Sequence, residues 1–189
     1  NQAKKPVVLF GGKNGAGKCI LIILILGFRT EMNGKISFLG LDPKLEPFSL
    51  REKMFFMSHS IEYDKFSSIE FIFNNIKILY PNYCTDKESY LLKLFELDKS
   101  KCLYQLSLGQ QVRVQIIAAL ASNAQFLLID EITAVLDPMA RLDFLKVLID
   151  EKKRGRTILM ATNIPGDSKI DADRVICIKD YKVVNYEAA

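Results

Sequence analysis

The 189-residue sequence offers no apolar run long enough to cross a membrane. Ile20–Phe28 holds nine residues where a spanning helix needs about 20, and it follows a glycine loop directly, so it is expected to be a buried helix. No Lys/Arg run exceeds Lys152-Lys153-Arg154 and the net charge is only +4, so nucleic acid is not expected as a partner. That triplet reads as a helix C-terminus, where cations suit the dipole and Gly155 supplies the stop. Cys19, Cys84, Cys102 and Cys177 lack the paired spacing of metal ligands, and no secretory leader precedes them; free thiols in a reducing compartment are expected. Internal repeats and low-complexity tracts are absent. The chain starts at Asn1 rather than methionine, which reads as a processed or truncated N-terminus.

What is present is an ordinary globular composition, 49% hydrophobic and 25% charged, long enough for one α/β domain over residues 1–189. Val7–Phe10, Phe126–Asp130 and Thr157–Thr162 are short apolar runs that read as buried strands, as do Met54–Met57 and Lys35–Leu41, separated by turns at Pro43 and Pro47. Helices are expected from Cys19, over "QVRVQIIAALAS", and over "DPMARLDFLKVLIDEKK" with Asp137 as N-cap and Pro138 in the first turn. Between about 60 and 105 the apolar residues recur at helical spacing, broken at Pro81-Asn82, which reads as a helical insertion. "RVICIKDYKVV" closes the chain as a hairpin. Strands alternating with helices imply a mostly parallel sheet covered on both faces, which binds ligands at the carboxyl ends of its strands.

Three motifs fall at those ends. Gly12-x-x-x-x-Gly17-Lys18 lies between a strand and a helix, where the N–H groups of Asn14, Gly15, Ala16, Gly17 and Lys18 can wrap a β-phosphate and Lys18 can reach the β- and γ-oxygens. Asp130 can hold magnesium through its water shell, and Glu131 can polarise an attacking water; acids at a strand end also serve as plain helix caps. "LSLGQQ" contains Ser107 and Gln110 at capping-box spacing, which alone suits an ordinary helix start.

In this order Gly12–Lys18, "LSLGQQ", "FLLIDE", "AVLD" and "TILMATN" resemble the nucleotide-binding domain of an ATP-binding cassette (ABC) protein, over nearly the whole chain. "LYPNY" and "LFELD" are similar to bacterial exporter-type cassettes. The resemblance implies a P-loop NTPase fold with a helical insertion and a truncated antiparallel β-subdomain. It further implies ATP and Mg2+ as cofactors, with Gly12 to Ile20 on the phosphates. Two cassettes, identical or different, would pack head to tail. Ser107, Gly109 and Gln110 would then serve the nucleotide of a second cassette, and Asp137 would act across that interface or simply cap its helix. Transmembrane permease subunits would be the partners, placing the chain on the inner face of the cell membrane. The function implied is an ATPase subunit of a transporter; the alternatives are a non-catalytic or weakly active regulatory ATP-binding module and a soluble ABC-type ATPase outside transport.

Several positions depart from the family pattern. Cys19 stands where a hydroxyl would hold magnesium, and a thiol is a poor ligand for that hard cation. At a helix N-terminus beside Lys18, the thiol is expected to have a lowered pKa and to react readily unless nucleotide shields it. His59, the only histidine, takes the place of the glutamine after the "MFFMS" strand, as a sensor of metal or water or as a surface residue. Asn163 takes the place of the switch histidine and can donate to a γ-phosphate without carrying charge. Ile132 replaces a proline after Glu131. The chain begins too late to include an adenine-stacking aromatic ahead of the first strand, so base selectivity is expected to be poor.

Overall fold

The structure is a computed structural model that describes residues 6–29, 34–45 and 50–188, apart from the side chains at 168, 169 and 185–188. Its frame is a sheet of β1 (Val7–Gly11), β2 (Met54–Ser58), β3 (Phe126–Asp130), β4 (Thr157–Thr162), β5 (Arg174–Lys179) and β6 (Lys182–Ala188), in the order β2-β3-β4-β1-β5-β6. The first five strands are parallel and β6 returns antiparallel on the edge. Five helices accompany it among the described residues: α1 (Lys18–Ile25), α2 (Ile69–Leu79), α3 (Thr85–Leu94), α4 (Leu108–Ala121) and α5 (Pro138–Lys153).

The continuous apolar character of the central strands follows from burial on both sides. Along β1, Val7 and Leu9 join α2 to α5 in one core, whereas Val8 and Phe10 face α1 in the other. The same alternation assigns Leu127 and Ile129 to the first core and Phe126 and Leu128 to the second. All five residues of β3 are buried, so Asp130 reaches the sheet edge from an apolar interior.

Local chemistry sets the helix ends. Asp137 Oδ1 accepts from the N–H groups of Met139 and Ala140, and Pro138 opens α5. That helix stops at Lys153, and Gly155 takes a positive φ of 82°. Arg156 then donates to the carbonyls of Ala119 and Leu120 at the end of α4, with Glu151 beside it as counter-ion.

Residues Lys35–Leu41 do not form the expected strand. Phe38 and Leu41 exchange both backbone hydrogen bonds across Leu39 and Gly40, whose positive φ angles (52° and 82°) make a tight reverse turn. A turn of two residues uses up the segment that the apolar pattern suggested would extend. Pro47 lies outside the described residues.

Candidate functional site at the carboxyl edge of the sheet

The glycine loop runs from the end of β1 into α1. A Cβ on Gly12 would stand 2.4 Å from the Ile178 carbonyl oxygen of β5, so close backbone approach requires glycine there. Gly15 (φ 78°) and Gly17 (φ 105°) need it for conformation. The Ala16 N–H bonds to the Lys13 carbonyl within the loop, which takes it out of the set of free donors expected to face a phosphate.

Lys18 is buried, and its ammonium donates to the carbonyls of Gly12 (2.8 Å) and Lys13 (2.9 Å) while lying 3.0 Å from Glu131 Oε1. Glu131 can reach it because the chain turns sharply at the end of β3, with φ 51° at Glu131 and its N–H bonded to the Ala161 carbonyl of β4. The loop and the acid, 113 positions apart, thus share one point (131 − 18).

Asp130 and Cys19 form the second pair. The Asp130 carboxyl acts on the Cys19 thiol, and Asp130 Oδ1 is buried without a hydrogen-bond partner. Burial raises the Asp130 pKa; the interaction with Cys19 and the charges of His59 and Lys18 work against that rise, while Glu131 adds to it. The expected lowering of the Cys19 pKa is overturned. Cys19 is exposed as a residue, yet partial desolvation at its edge, interaction with the Asp130 carboxyl and the charge of Glu131 push the thiol up to about 11, and Lys18 offsets only part of this. Desolvation and two carboxylates outweigh one ammonium.

His59 is exposed just past Ser58, whose Cα pairs with that of Asp130, and its charge acts on that carboxyl. Asn163, just past the end of β4, donates from Nδ2 to Asn14 Oδ1 of the glycine loop at 2.6 Å. The sheet edge therefore gathers Gly12 to Cys19, Asp130, Glu131, His59 and Asn163.

The remaining candidates stand elsewhere. Ser107 Oγ accepts from the Gln110 N–H (3.3 Å), and Gln110 Oε1 accepts from the Ser107 N–H (2.9 Å), a reciprocal cap on α4. Among the described residues no hydrogen bond or ion pair joins Ser107, Gly109, Gln110 or Asp137 to the glycine loop. Ser107 and Asp137 are exposed, and nothing lies within 4 Å of a Cβ built on Gly109.

Two supporting groups carry no signal in the sequence. Asp167, fully buried, accepts from Thr133 Oγ1 (2.7 Å), Thr162 Oγ1 and Arg141 Nε (2.7 Å). It ties the turn after Glu131, the residue before Asn163 and α5 together. Gln115, buried in the middle of α4, accepts the Ser58 N–H at the end of β2. Neither sits in a recognisable pattern; only the fold brings their partners near.

A glycine loop between β1 and α1, with an acid pair at the end of β3, one strand removed from β1 in the parallel sheet, defines a P-loop nucleotide-binding fold. Residues 2–134 match the family model described as ABC transporter. The chain is 31% identical over 191 residues to the glutamate/aspartate import ATP-binding protein GltL of Escherichia coli K12, covering 96% of this chain and 79% of that protein. It is 25% identical over 195 residues to the ABC transporter ATP-binding protein YtrB of Bacillus subtilis, covering 98% of this chain and 66% of YtrB. Among solved structures, an ATP-binding subunit of an ABC transporter superposes with a TM-score of 0.88 at 24% identity, over 97% of this chain and 79% of that one. A cassette dimer in a post-hydrolysis state with ADP and Pi superposes at 0.80 with 23% identity, over 100% and 87% of the two chains. The chain belongs to the ABC transporter family as one of its ATP-binding cassettes, the ATPase class of that family. Its relatives include both import and export proteins, so they do not single out the exporter type. Among the described residues, no helix is long and apolar enough to cross a membrane.

Proposed function

We propose that this cassette hydrolyses ATP to drive transport through separate membrane subunits on the inner face of the membrane. The reading is carried by the contact between Lys18 and Glu131, which puts the phosphate-binding loop and a candidate general base at one point of the sheet edge. ATP would lie with its phosphates along Gly12, Asn14, Gly15, Ala16, Gly17, Lys18, Cys19 and Ile20, using loop N–H groups and the Lys18 ammonium. A γ-phosphate entering beside Lys18 competes for that ammonium and frees Glu131 to accept a proton from the attacking water. Asn163, now bonded to Asn14, would turn its carboxamide N–H to the same phosphate.

The donor set fits a divalent cation on one side only. Asp130 Oδ1 is a buried carboxylate oxygen with no partner, which suits Mg2+, whereas Cys19 offers a protonated thiol, a poor ligand for it. Among the described residues no three His, Cys, Asp or Glu side chains converge as a metal cluster, so most ligands would be phosphate and water oxygens. Bound there, the cation would neutralise charge on the β- and γ-oxygens. Asp130 would hold it, with His59 near the same carboxyl, and Cys19 would stay a protonated thiol.

Ser107, Gly109 and Gln110 would face the nucleotide of a second cassette, identical or different, with Asp137 at the same interface. The exposed, capped start of α4 supports this, because its first N–H groups have no intrahelical partner. Residues 1–189 would act as one unit, with the helices between about 60 and 105 in contact with the membrane subunits. The test is magnesium-dependent ATP turnover by the purified chain over a range of protein concentrations, with Glu131→Gln as the blank. Turnover that exceeds the blank and rises faster than linearly supports a head-to-tail ATPase. The protonated thiol at Cys19, a poor ligand for Mg2+, favours a second reading, a regulatory module that binds ATP without turning it over. Bound ATP with turnover no higher than the blank would select it.

A further inference from the structure

Asp180 and Tyr181 form the two-residue turn between β5 and β6, with Lys179 and Lys182 paired across it. Both have positive φ, 49° and 61°, the conformation of a type I′ turn that glycine and asparagine reach at little cost. A bulky tyrosine there is strained. It is nonetheless held in place: the Tyr181 N–H donates to the Ala16 carbonyl (3.1 Å), and ring atom Cδ1 lies 2.8 Å from where a Cβ on Gly17 would stand. The same side chain is 70% exposed. A strained aromatic therefore leans on the glycine loop by one edge and offers most of its surface to solvent.

The sheet order gives this position a direction. β1 lies between β4 and β5. Glu131 and Asn163 stand on the β3–β4 side, and the 180–181 turn stands on the β5 side. With the γ-phosphate toward Glu131 and Asn163, the α-phosphate, ribose and base run the opposite way along the edge, toward Tyr181.

We infer that Tyr181 contacts the nucleobase, stacking on the purine ring of a nucleotide whose phosphates occupy the Gly12–Ile20 loop. The inference rests on the phosphate-binding reading of that loop. Stacking accepts any base, so Tyr181 contributes affinity with little choice among bases. As a turn former alone, glycine would serve better at this position.

The chain contains no tryptophan, so Tyr181→Trp introduces a single fluorescent reporter. Wild type, Tyr181→Gly, Tyr181→Phe and Tyr181→Trp are titrated with ATP and with inorganic tripolyphosphate, which shares the phosphates and lacks the base. Tyr181→Gly is expected to weaken ATP roughly tenfold. It should leave tripolyphosphate binding unchanged and raise the melting temperature of the ligand-free protein by relieving the turn. Tyr181→Phe keeps ATP affinity, and the Tyr181→Trp emission is quenched by ATP and not by tripolyphosphate. Tyr181→Gly binding ATP as wild type does, or losing both ligands equally, overturns the inference. So does tryptophan emission that ignores ATP. Wild type that binds tripolyphosphate as tightly as ATP overturns the stacking and leaves the loop reading standing; wild type that binds neither overturns both.

Discussion

Asn163 Nδ2 donates to Asn14 Oδ1 at 2.6 Å, so the strand end after β4 is fastened to the glycine loop by one exposed carboxamide pair. The bond holds the Asn163 donor beside the place a γ-phosphate would occupy. Asn163→Ala should lower ATP turnover by about fivefold, the value of one net hydrogen bond of roughly 1 kcal/mol. Its effect on the melting temperature should be small, because both partners are exposed. A turnover equal to wild type would show that Asn163 fastens the loop without touching the nucleotide.

Cys19 links a pH dependence to the metal question. Cys19 is exposed, but its thiolate is disfavoured by partial desolvation and by Asp130 and Glu131, with a pKa of about 11 against 9.0 for an ordinary thiol. Since only the thiolate alkylates, labelling at pH 8 should run on the order of a hundredfold slower than for an ordinary cysteine, and it should keep climbing as pH approaches 11. Asp130→Asn removes one charge and should speed labelling at fixed pH. Cys19→Ser should raise magnesium-dependent turnover by about tenfold or more and lower the magnesium needed for half-activity, because a hydroxyl suits the cation. Fast labelling of Cys19 at neutral pH would mean that Asp130 and Glu131 do not disfavour its thiolate.

Asp167 accepts from two hydroxyls and the Arg141 guanidinium while fully buried. Asp167→Ala would leave Arg141 and both threonines without their acceptor and is expected to cost about 3–5 kcal/mol. For a chain of this size that corresponds to a fall in melting temperature on the order of 10 °C. Asp167→Asn, which keeps the shape and part of the bonding, should lose less. Equal losses would mean that packing rather than charge holds the turn after Glu131 to β4.

Much of the frame was legible because apolar runs such as Phe126–Asp130 and Thr157–Thr162 are buried on both faces and so carry an unbroken signal. The caps at Ser107 and Asp137 were legible because capping is local chemistry. What failed depended on contacts across the chain. Cys19 reads from its neighbours as an activated thiol, and only the fold places Asp130, 111 positions away (130 − 19), against it. Asp167 and Gln115 escape for the same reason. Lys35–Leu41 misled in another way: its apolar residues suit a strand, but Leu39 and Gly40 close a turn that leaves no length for one.

Gly109 separates the two uses of the α4 start. It lies in the first turn of that helix without positive φ, and a Cβ there meets nothing within 4 Å. Within one chain, Gly109→Ala should therefore be harmless. Replacing glycine by alanine in a helix should even stabilise the fold by up to about 1 kcal/mol. ATP binding to a single chain, through the Gly12–Ile20 loop, should also be unchanged. If the exposed N–H groups beside Gly109 close on the phosphates of a partner cassette, the added methyl intrudes where backbone must approach oxygen. Turnover should then fall by about tenfold or more, and the faster-than-linear rise with protein concentration should flatten. A variant that is more stable, binds ATP normally and turns it over poorly would place the defect between chains. A variant that turns over as wild type does would leave the Ser107–Gln110 motif as a helix cap and nothing more.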